Sequence, residues 1–561
     1  MKTIAAWVGR NREKVWFAAC VNLLMLAFCL IVMRPEFDSN DDFNIAMFVN
    51  RARPIQDPYW LYCNWILGNV CAFAYRITNM VPWYGLMQYF GLFAAFTGAF
   101  WVIQKIFRGG AALVLSMTLL NFFAAESYVN IQFTRTAGVC AACGLFLVVY
   151  AITREKIRIL PLLSGIAVTA YGYMYRHLEA DLIFALFGVF GVYLLLRLKE
   201  DAPKQMLQRA ARYLLLFGLT IGICFGFRLI DRYAYSRSSE SSAYEAINDA
   251  RATLTDYGFP KYEEHAELFE SLGITYSAYK LFSKWNFYDP DVFTLEKMNA
   301  LIAVQKRRGA SLETLKEYFG IYPYKWFENP MFYCFLVMLV IALIHGRRGW
   351  KRAAEIALLL LALTGLYYYM YLQGRFNLPR VDDPVWLAGC LILVYLVSPE
   401  RFVLPVRYAW TMVLILFVVN QGRWSVFWRH NTVQDEEKRA KAANFIAQVA
   451  SDQEHLYLTK AGLYAISPGY GPLSLVPIGV ASNMGVLGGW PAGSPAYQAA
   501  LAQYGVTNPY RDCINNEKVY LIDNDINLTL NYIREYYDMK AQAVEAGSFD
   551  KKNTMYQIVS E

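Results

Sequence analysis

Long apolar runs, broken by short clusters of charge, set the rhythm of this chain. The first run, Val15 to Met33, matches the roughly 20 apolar residues that a helix needs to cross a bilayer. Further runs fall at 85–107, 111–125, 136–152, 159–174, 182–196 and 213–230. Four more follow at 331–344, 356–372, 385–397 and 408–420. The pattern predicts a polytopic α-helical membrane protein with about 11 transmembrane helices. The segment PYWLYCNWILGNVCAFAYRIT, Pro58 to Thr78, is aromatic but interrupted by Asn64, Asn69 and Arg76, which suits helices lying in the membrane interface.

Two stretches break the rhythm. Residues 231–329 are polar, with amphipathic patterns cut by Gly and Pro, and predict an outer helical insertion. From about Arg423 the chain turns polar again. There HLYLTK and EKVYLID alternate like strands, and NLTLNYIREYYDMKAQAV reads as an amphipathic helix. The expected organisation is a membrane domain over 1–430 and a small α/β domain over 431–561. The membrane domain contains an acidic first outer loop with interfacial helices, 34–82, and the insertion, 231–329.

Charge orients these runs. Lys105 and Arg108, Arg154 to Arg158, Arg197 to Arg212, Arg347 to Arg352, and Arg401 with Arg407 all fall on one side of the expected spans. Basic loops mark the cytoplasm. The N-terminus is therefore expected inside a multi-pass plasma-membrane protein, with the acidic loop, the insertion and the C-terminal domain outside. Arg10, Arg12 and Lys14 precede a run too long for a cleaved leader, so the run is expected to stay as the first span.

Composition agrees: 57% of residues are hydrophobic and 17% charged, too apolar for an ordinary soluble domain. Aromatics at 16% suit many membrane interfaces. The net charge of +8 belongs to topology, because no basic stretch is interleaved with aromatics as in a nucleic-acid module. Of ten Cys, most sit in apolar runs as small hydrophobes, and only Cys63, Cys71 and Cys513 fall outside them. Cys140 and Cys143 form a CxxC inside a span with no His nearby, so neither zinc nor redox chemistry is expected there.

Candidate chemistry gathers at the outer ends of the spans. Directly after the first run comes RPEFDSNDDFNIAMFVNRAR, Arg34 to Arg53, which holds Asp38, Asp41 and Asp42. Carboxylates there could take a proton from an acceptor hydroxyl, or hold a divalent metal (Mg2+ or Mn2+) near a leaving phosphate. They also suit a solvated turn or the N-cap of FNIAMFVNRA. Arg176, His177 and Glu179 end the fifth run. A guanidinium there could hold a lipid phosphate, or pair with Glu179 or Asp181. Arg375 and Arg380 flank an outer Pro loop, where Asp382 and Asp383 are alternative partners. Asp256 in the insertion suits a substrate contact or a helix cap. GVLGGWPAGSP lacks the GKS or GKT ending of a phosphate-binding loop and reads as a turn.

The order of these parts resembles the GT-C superfamily of polyprenyl-phosphate-sugar-dependent glycosyltransferases, and within it bacterial glucosyltransferase-like envelope membrane proteins. The strings that carry the resemblance are NDDFNIAMF, NWILGNVCAFAYRITNMVPWYG, IQFTRTAG, YEAINDARATLTDYGFPKY, GRFNLPRV and LGGWPAGSP. The resemblance implies transfer of a sugar from a polyprenyl-phosphate donor to a glycan or lipid-linked acceptor at the outer membrane boundary. It implies Asp41 or Asp42 as catalytic carboxylate, with Asp38 in reserve. It places Arg176 with Arg375 or Arg380 on the donor phosphate. Two rivals stay open: a polysaccharide polymerase or ligase using a lipid diphosphate glycan, and a lipid or glycan transporter. Charges at span ends rather than midway count against the transporter.

Overall fold

The computed structural model describes residues 7, 9–197, 203–346, 350–375, 377–461, 470–548 and 553–560. Parts of the basic turns at 197–212 and 347–352 therefore lie outside the described residues. Helices occupy all the runs marked above, and among the described residues six are long and apolar enough to cross a membrane: Val15–Val32, Trp83–Ile106, Gly109–Val129, Phe133–Ile152, Leu207–Ser236 and Ala353–Leu372. A bent pair, Leu312–Trp326 with Pro330–His345, supplies up to a seventh. Large apolar side chains such as Leu24, Ile31, Leu160, Leu215 and Leu361 stand exposed on the outer helices, as a lipid-facing surface requires. Phe133–Ile152 is instead buried along its whole length and forms the bundle axis.

Small residues let the helices close on that axis. A Cβ on Gly144 would stand 2.3 Å from Thr169 Oγ1, and one on Gly165 would stand 2.7 Å from Gly144 O. Phe133–Ile152 and Ile159–Tyr175 thus meet backbone to backbone, the way membrane helices gain van der Waals contact without a hydrophobic drive.

The structure differs from the sequence pattern at three places. The last apolar run does not end at Asn420: one helix, Val406–Ser451, continues through Arg423 to deliver Phe445 and Val449 to a core outside the bundle. At 1.5 Å per residue it is about 69 Å long, twice the apolar thickness of a bilayer. Its polar half reads as a domain start because the sequence turns from apolar to polar while the helix continues. The helix Gly109–Val129 contains a π-helical turn, Leu119–Ala124. This turn presents Asn121, whose Nδ2 donates to Leu416 O at 2.9 Å, while Asn420 Nδ2 donates to Asn121 O at 2.6 Å. The expected helix over 527–544 ends at Tyr536, and Gln542–Ser548 is a strand. Pairing with Thr554–Val559, in register Gln542 to Val559, overrides the helical pattern.

Outside the bundle, a five-stranded sheet runs in the order Met484–Val486, Leu456–Thr459, Val519–Asp523, Thr554–Val559, Gln542–Ser548. The first three strands are parallel and the last two antiparallel. The insertion forms short helices whose N-termini are capped by Ser238, Thr275, Thr294 and Ser311. Insertion and sheet share one apolar core: Leu254, Phe269, Phe282 and Leu301 pack with Leu458, Leu521, Tyr532 and Ile533.

One buried cation fastens the first outer loop to the bundle. Arg135 is 1% exposed. Its guanidinium faces Asp38 at 3.4 Å and Asp383 at 3.3 Å, and donates to Asn130 O at 2.5 Å. Asp383 also accepts from Asn329 Nδ2 at 2.9 Å. Beside it, Glu126 pairs with Arg423 at 2.7 Å. Glu36–Phe37 completes the attachment by pairing in parallel with Asn130–Ile131.

Arg135→Gln leaves Asp383 as a lone buried charge, so it should cost about 3 kcal/mol or more. Thermal unfolding in detergent should show a large fall in Tm. Asp38→Asn, at the water edge, should lower Tm far less. The double variant Arg135→Gln/Asp383→Asn should recover part of the loss, because no buried charge is left alone.

Candidate functional site

A cavity of about 1160 Å³ opens where the bundle, the insertion and the C-terminal sheet meet. The first outer loop contributes Asp41, Asn44 and Arg53; the spans contribute Gln132, Arg176, His177, Glu179 and Arg228. The insertion adds Glu245, Arg251 and Asp256, the Pro loop Arg375 and Arg380, and the C-terminal region Trp490.

The helix Asn40–Val49 separates the two adjacent carboxylates. Neighbours on an α-helix point about 100° apart, so one cavity cannot take both. Asp41 faces the cavity, and its Oδ1 accepts from Trp490 Nε1 at 2.9 Å. Asp42 is fully buried: its Oδ1 accepts from Tyr84 Oη at 2.9 Å, Gln88 Nε2 at 2.8 Å and the Phe133 backbone N–H at 3.0 Å. Burial pushes the Asp42 carboxyl up to about 8. Its contacts make it a strut between the loop helix and two spans. Asp38 turns to Arg135.

Trp490 is the part that sequence reasoning missed. It belongs to GVLGGWPAGSP, read there as a turn. Its ring stacks on Phe48 at 5.5 Å and meets the edge of Tyr62 at 5.3 Å, and its carbonyl accepts from Tyr244 Oη. Glycine makes this seat possible: a Cβ on Gly488 would lie 1.7 Å from Trp285 O. Gly489 N–H donates to that same oxygen at 3.0 Å. The signal was a Trp inside a Gly/Pro string, a combination that asks for close backbone approach beside a large anchored ring.

The expected cations are distributed unevenly. Arg176 lies over the rings of Tyr62 at 5.3 Å and Phe133 at 5.4 Å, and lines the cavity. His177 and Glu179 line it too. Glu179 is 2% exposed, sits in the fields of Arg176 and Arg380, and has one oxygen with no hydrogen-bond partner among the described residues. Arg375 pairs with Asp256 and lies 5.1 Å over Tyr257. Arg380 starts the helix Pro379–Leu396. Asp382 and Asp383 are buried in that helix, so pairing within the loop is not what holds Arg375 and Arg380. Gln132 spends its side-chain oxygen on Thr134 and Arg135 N–H groups, and its amide nitrogen has no hydrogen-bond partner among the described residues; the residue lines the cavity. Arg53, Arg228, Arg232 and Arg251 also line the cavity, and none was singled out from the sequence.

Among the described residues, no group of three or more His, Cys, Asp or Glu is arranged to hold a metal ion. Asp41 and Asp42 point apart, so the adjacent pair does not converge on one ion.

These features define a class: a polytopic membrane protein with a polar, arginine-rich cavity roofed by its water-exposed parts. No family model matches the chain, and no curated protein matches it. Among solved structures it is similar to ArnT from Cupriavidus metallidurans bound to undecaprenyl phosphate, with 12% identity over 97% of this chain and 98% of that chain and a TM-score of 0.41. The apo state of the same protein is similar at 12% identity over 99% and 98%, with a TM-score of 0.40.

The raised Asp42 carboxyl has a consequence for stability. Its folded value lies above the usual 3.8 of an aspartate, so its contribution is fully present below about pH 4 and is lost as pH rises through about 8. Wild-type Tm in detergent should fall across that window. Asp42→Asn should flatten the fall, since its amide oxygen can still accept the three bonds and carries no titrating proton.

Proposed function

We propose that this protein is a GT-C-type glycosyltransferase that moves one sugar from a polyprenyl-phosphate donor to an envelope glycan or lipid-linked acceptor. The reaction takes place on the extracytoplasmic side of the plasma membrane. About eleven helices cross the bilayer, the N-terminus is cytoplasmic, and the region over 431–561 stands outside with the insertion. The observation that carries this reading is the cavity itself. It brings a free-facing carboxylate, Asp41, to the same space as several guanidinium groups at the ends of membrane helices. A lipid-borne phosphate would arrive at that height.

The chemistry follows from those groups. Trp490 N–H holds one oxygen of Asp41, which leaves the other for an acceptor hydroxyl. The acceptor oxygen forms a bond to the anomeric carbon as its proton passes to Asp41. The bond from that carbon to the lipid phosphate breaks on the opposite face, with inversion. The phosphate leaves with an added negative charge, which Arg176 and Arg380 stabilise, with Arg375 beside them. Arg176 is held before reaction by Tyr62 and Phe133 and Arg375 by Asp256, so little reorganisation of these two is needed. Glu179 and the Gln132 amide are positioned for sugar hydroxyls, with His177 and Asp256 at the border. No step here needs a metal ion.

Purified protein in detergent, given a panel of undecaprenyl-phosphate sugars, should be stabilised by one donor and turn it over. Asp41→Asn should lower kcat by about 100- to 10,000-fold with Tm close to wild type, because the amide oxygen still accepts from Trp490. Arg176→Gln should lower kcat as well as raise KM for the donor, because the charge it stabilises grows as the bond to phosphate breaks. Response to lipid diphosphate glycans and to no monophosphate donor would replace this reading with a polymerase or ligase.

A further inference from the structure

Two arginines in the cavity wall form no ion pair among the described residues. Arg53 is 6% exposed and Arg251 is 1% exposed, yet both line the cavity. Arg53 Nε and Nη1, and Arg251 Nε, have no hydrogen-bond partner among the described residues. Each guanidinium lies over aromatic side chains instead. Arg53 lies 5.5 Å over Tyr497; Arg251 lies 4.9 Å over Trp285 and 5.6 Å over Phe287. Asn248 Oδ1 accepts from Arg251 Nη2 at 2.5 Å, which fixes the fork. Both charges act on the Tyr244 hydroxyl, so they share one neighbourhood. The nearest acid in sequence, Asp249, senses Arg251 but makes no hydrogen bond to it, whereas Arg375 has Asp256 and Arg135 has Asp383.

A buried guanidinium without an anion is expensive to keep, and burial holds Arg53 below its usual value. Rings and one amide orient these groups but leave their charge and several N–H donors unanswered. The planar fork matches an oxyanion, a phosphate or a carboxylate. Tyr62 marks which substrate would bring it. Arg176 lies on the Tyr62 ring face, while Arg251 acts on the Tyr62 hydroxyl. Trp490, the residue that holds Asp41, meets the Tyr62 edge. Arg53 comes from the first loop and Arg251 from the insertion helix Ser239–Tyr257, whereas Arg176 ends the helix Ile159–Tyr175.

We propose that Arg53 and Arg251 form a second anion subsite that binds an oxyanion carried by the acceptor. The assignment of that ligand to the acceptor rests on the glycosyltransferase reading above. The acceptor is then an anionic glycan or lipid, bearing a phosphate or a uronate, and its hydroxyl is presented to Asp41 by this clamp.

The test uses full-length protein in detergent, saturated with undecaprenyl phosphate so that the donor side is full. Glycerol phosphate and glucuronate are titrated separately by calorimetry. At least one should bind saturably to wild type, and which one names the anion. Arg53→Gln and Arg251→Gln should each weaken that binding at least tenfold and change undecaprenyl phosphate affinity less than twofold. Arg251→Lys keeps the charge but loses the fork, and should be intermediate with wild-type Tm. Failure of both probes, equal binding by wild type and variants, or displacement of the probe by undecaprenyl phosphate would each overturn the subsite. If a probe binds through these arginines while undecaprenyl phosphate does not bind at all, the subsite stands and the polyprenyl-phosphate reading falls.

Discussion

The fold depends on neutralising Arg135 inside the bundle. A guanidinium with 1% exposure needs its counter-charges close at hand. It finds them on two segments far apart in sequence, Asp38 in the first outer loop and Asp383 in the helix Pro379–Leu396. Meeting that need draws the loop onto the bundle, sets Glu36–Phe37 beside Asn130–Ile131, and starts the helix Asn40–Val49 at a fixed angle. Asp42 then fits among Tyr84, Gln88 and Phe133, and Asp41 is left facing the cavity. The carboxylates of one acidic stretch thus do different work. One neutralises, one braces, and one faces the cavity.

The apolar runs were legible in the sequence because a lipid-facing helix must be apolar along its length, and that constraint is written residue by residue. The continuation of Val406–Ser451 beyond Asn420 was not, because a helix leaving the bilayer keeps its backbone and changes only its surroundings. The strand Gln542–Ser548 was hidden for a related reason. Its partner, Thr554–Val559, decides its conformation, and a local period of 3.6 says nothing of a partner. The acidic stretch was visible as polar sequence after an apolar run. That Asp41 and Asp42 diverge was visible too, to anyone who wound FNIAMFVNRA back by one turn. Trp490, Arg53 and Arg251 were hard to single out, since their roles arise from contacts with segments hundreds of residues away or from contacts they lack.

The composite nature of the cavity has a further implication. Asp41 comes from the bundle, but the N–H that orients it comes from Trp490, and Trp490 is seated only because Gly488 lies flat on Trp285 of the insertion. Arg53 rests on Tyr497 and Arg251 on Trp285. The membrane part alone would hold a carboxylate and the cations around Arg176, with water between them. The insertion and sheet enclose that space and replace part of its solvent contact with protein, which strengthens the charges that line it. Their shared apolar core, with Phe43 and Met47 of the first loop packed against Phe445 and Val449, keeps the three pieces in one arrangement. The region outside the bundle is therefore part of the cavity wall, and it buries guanidinium nitrogens of Arg53 and Arg251 that have no hydrogen-bond partner among the described residues.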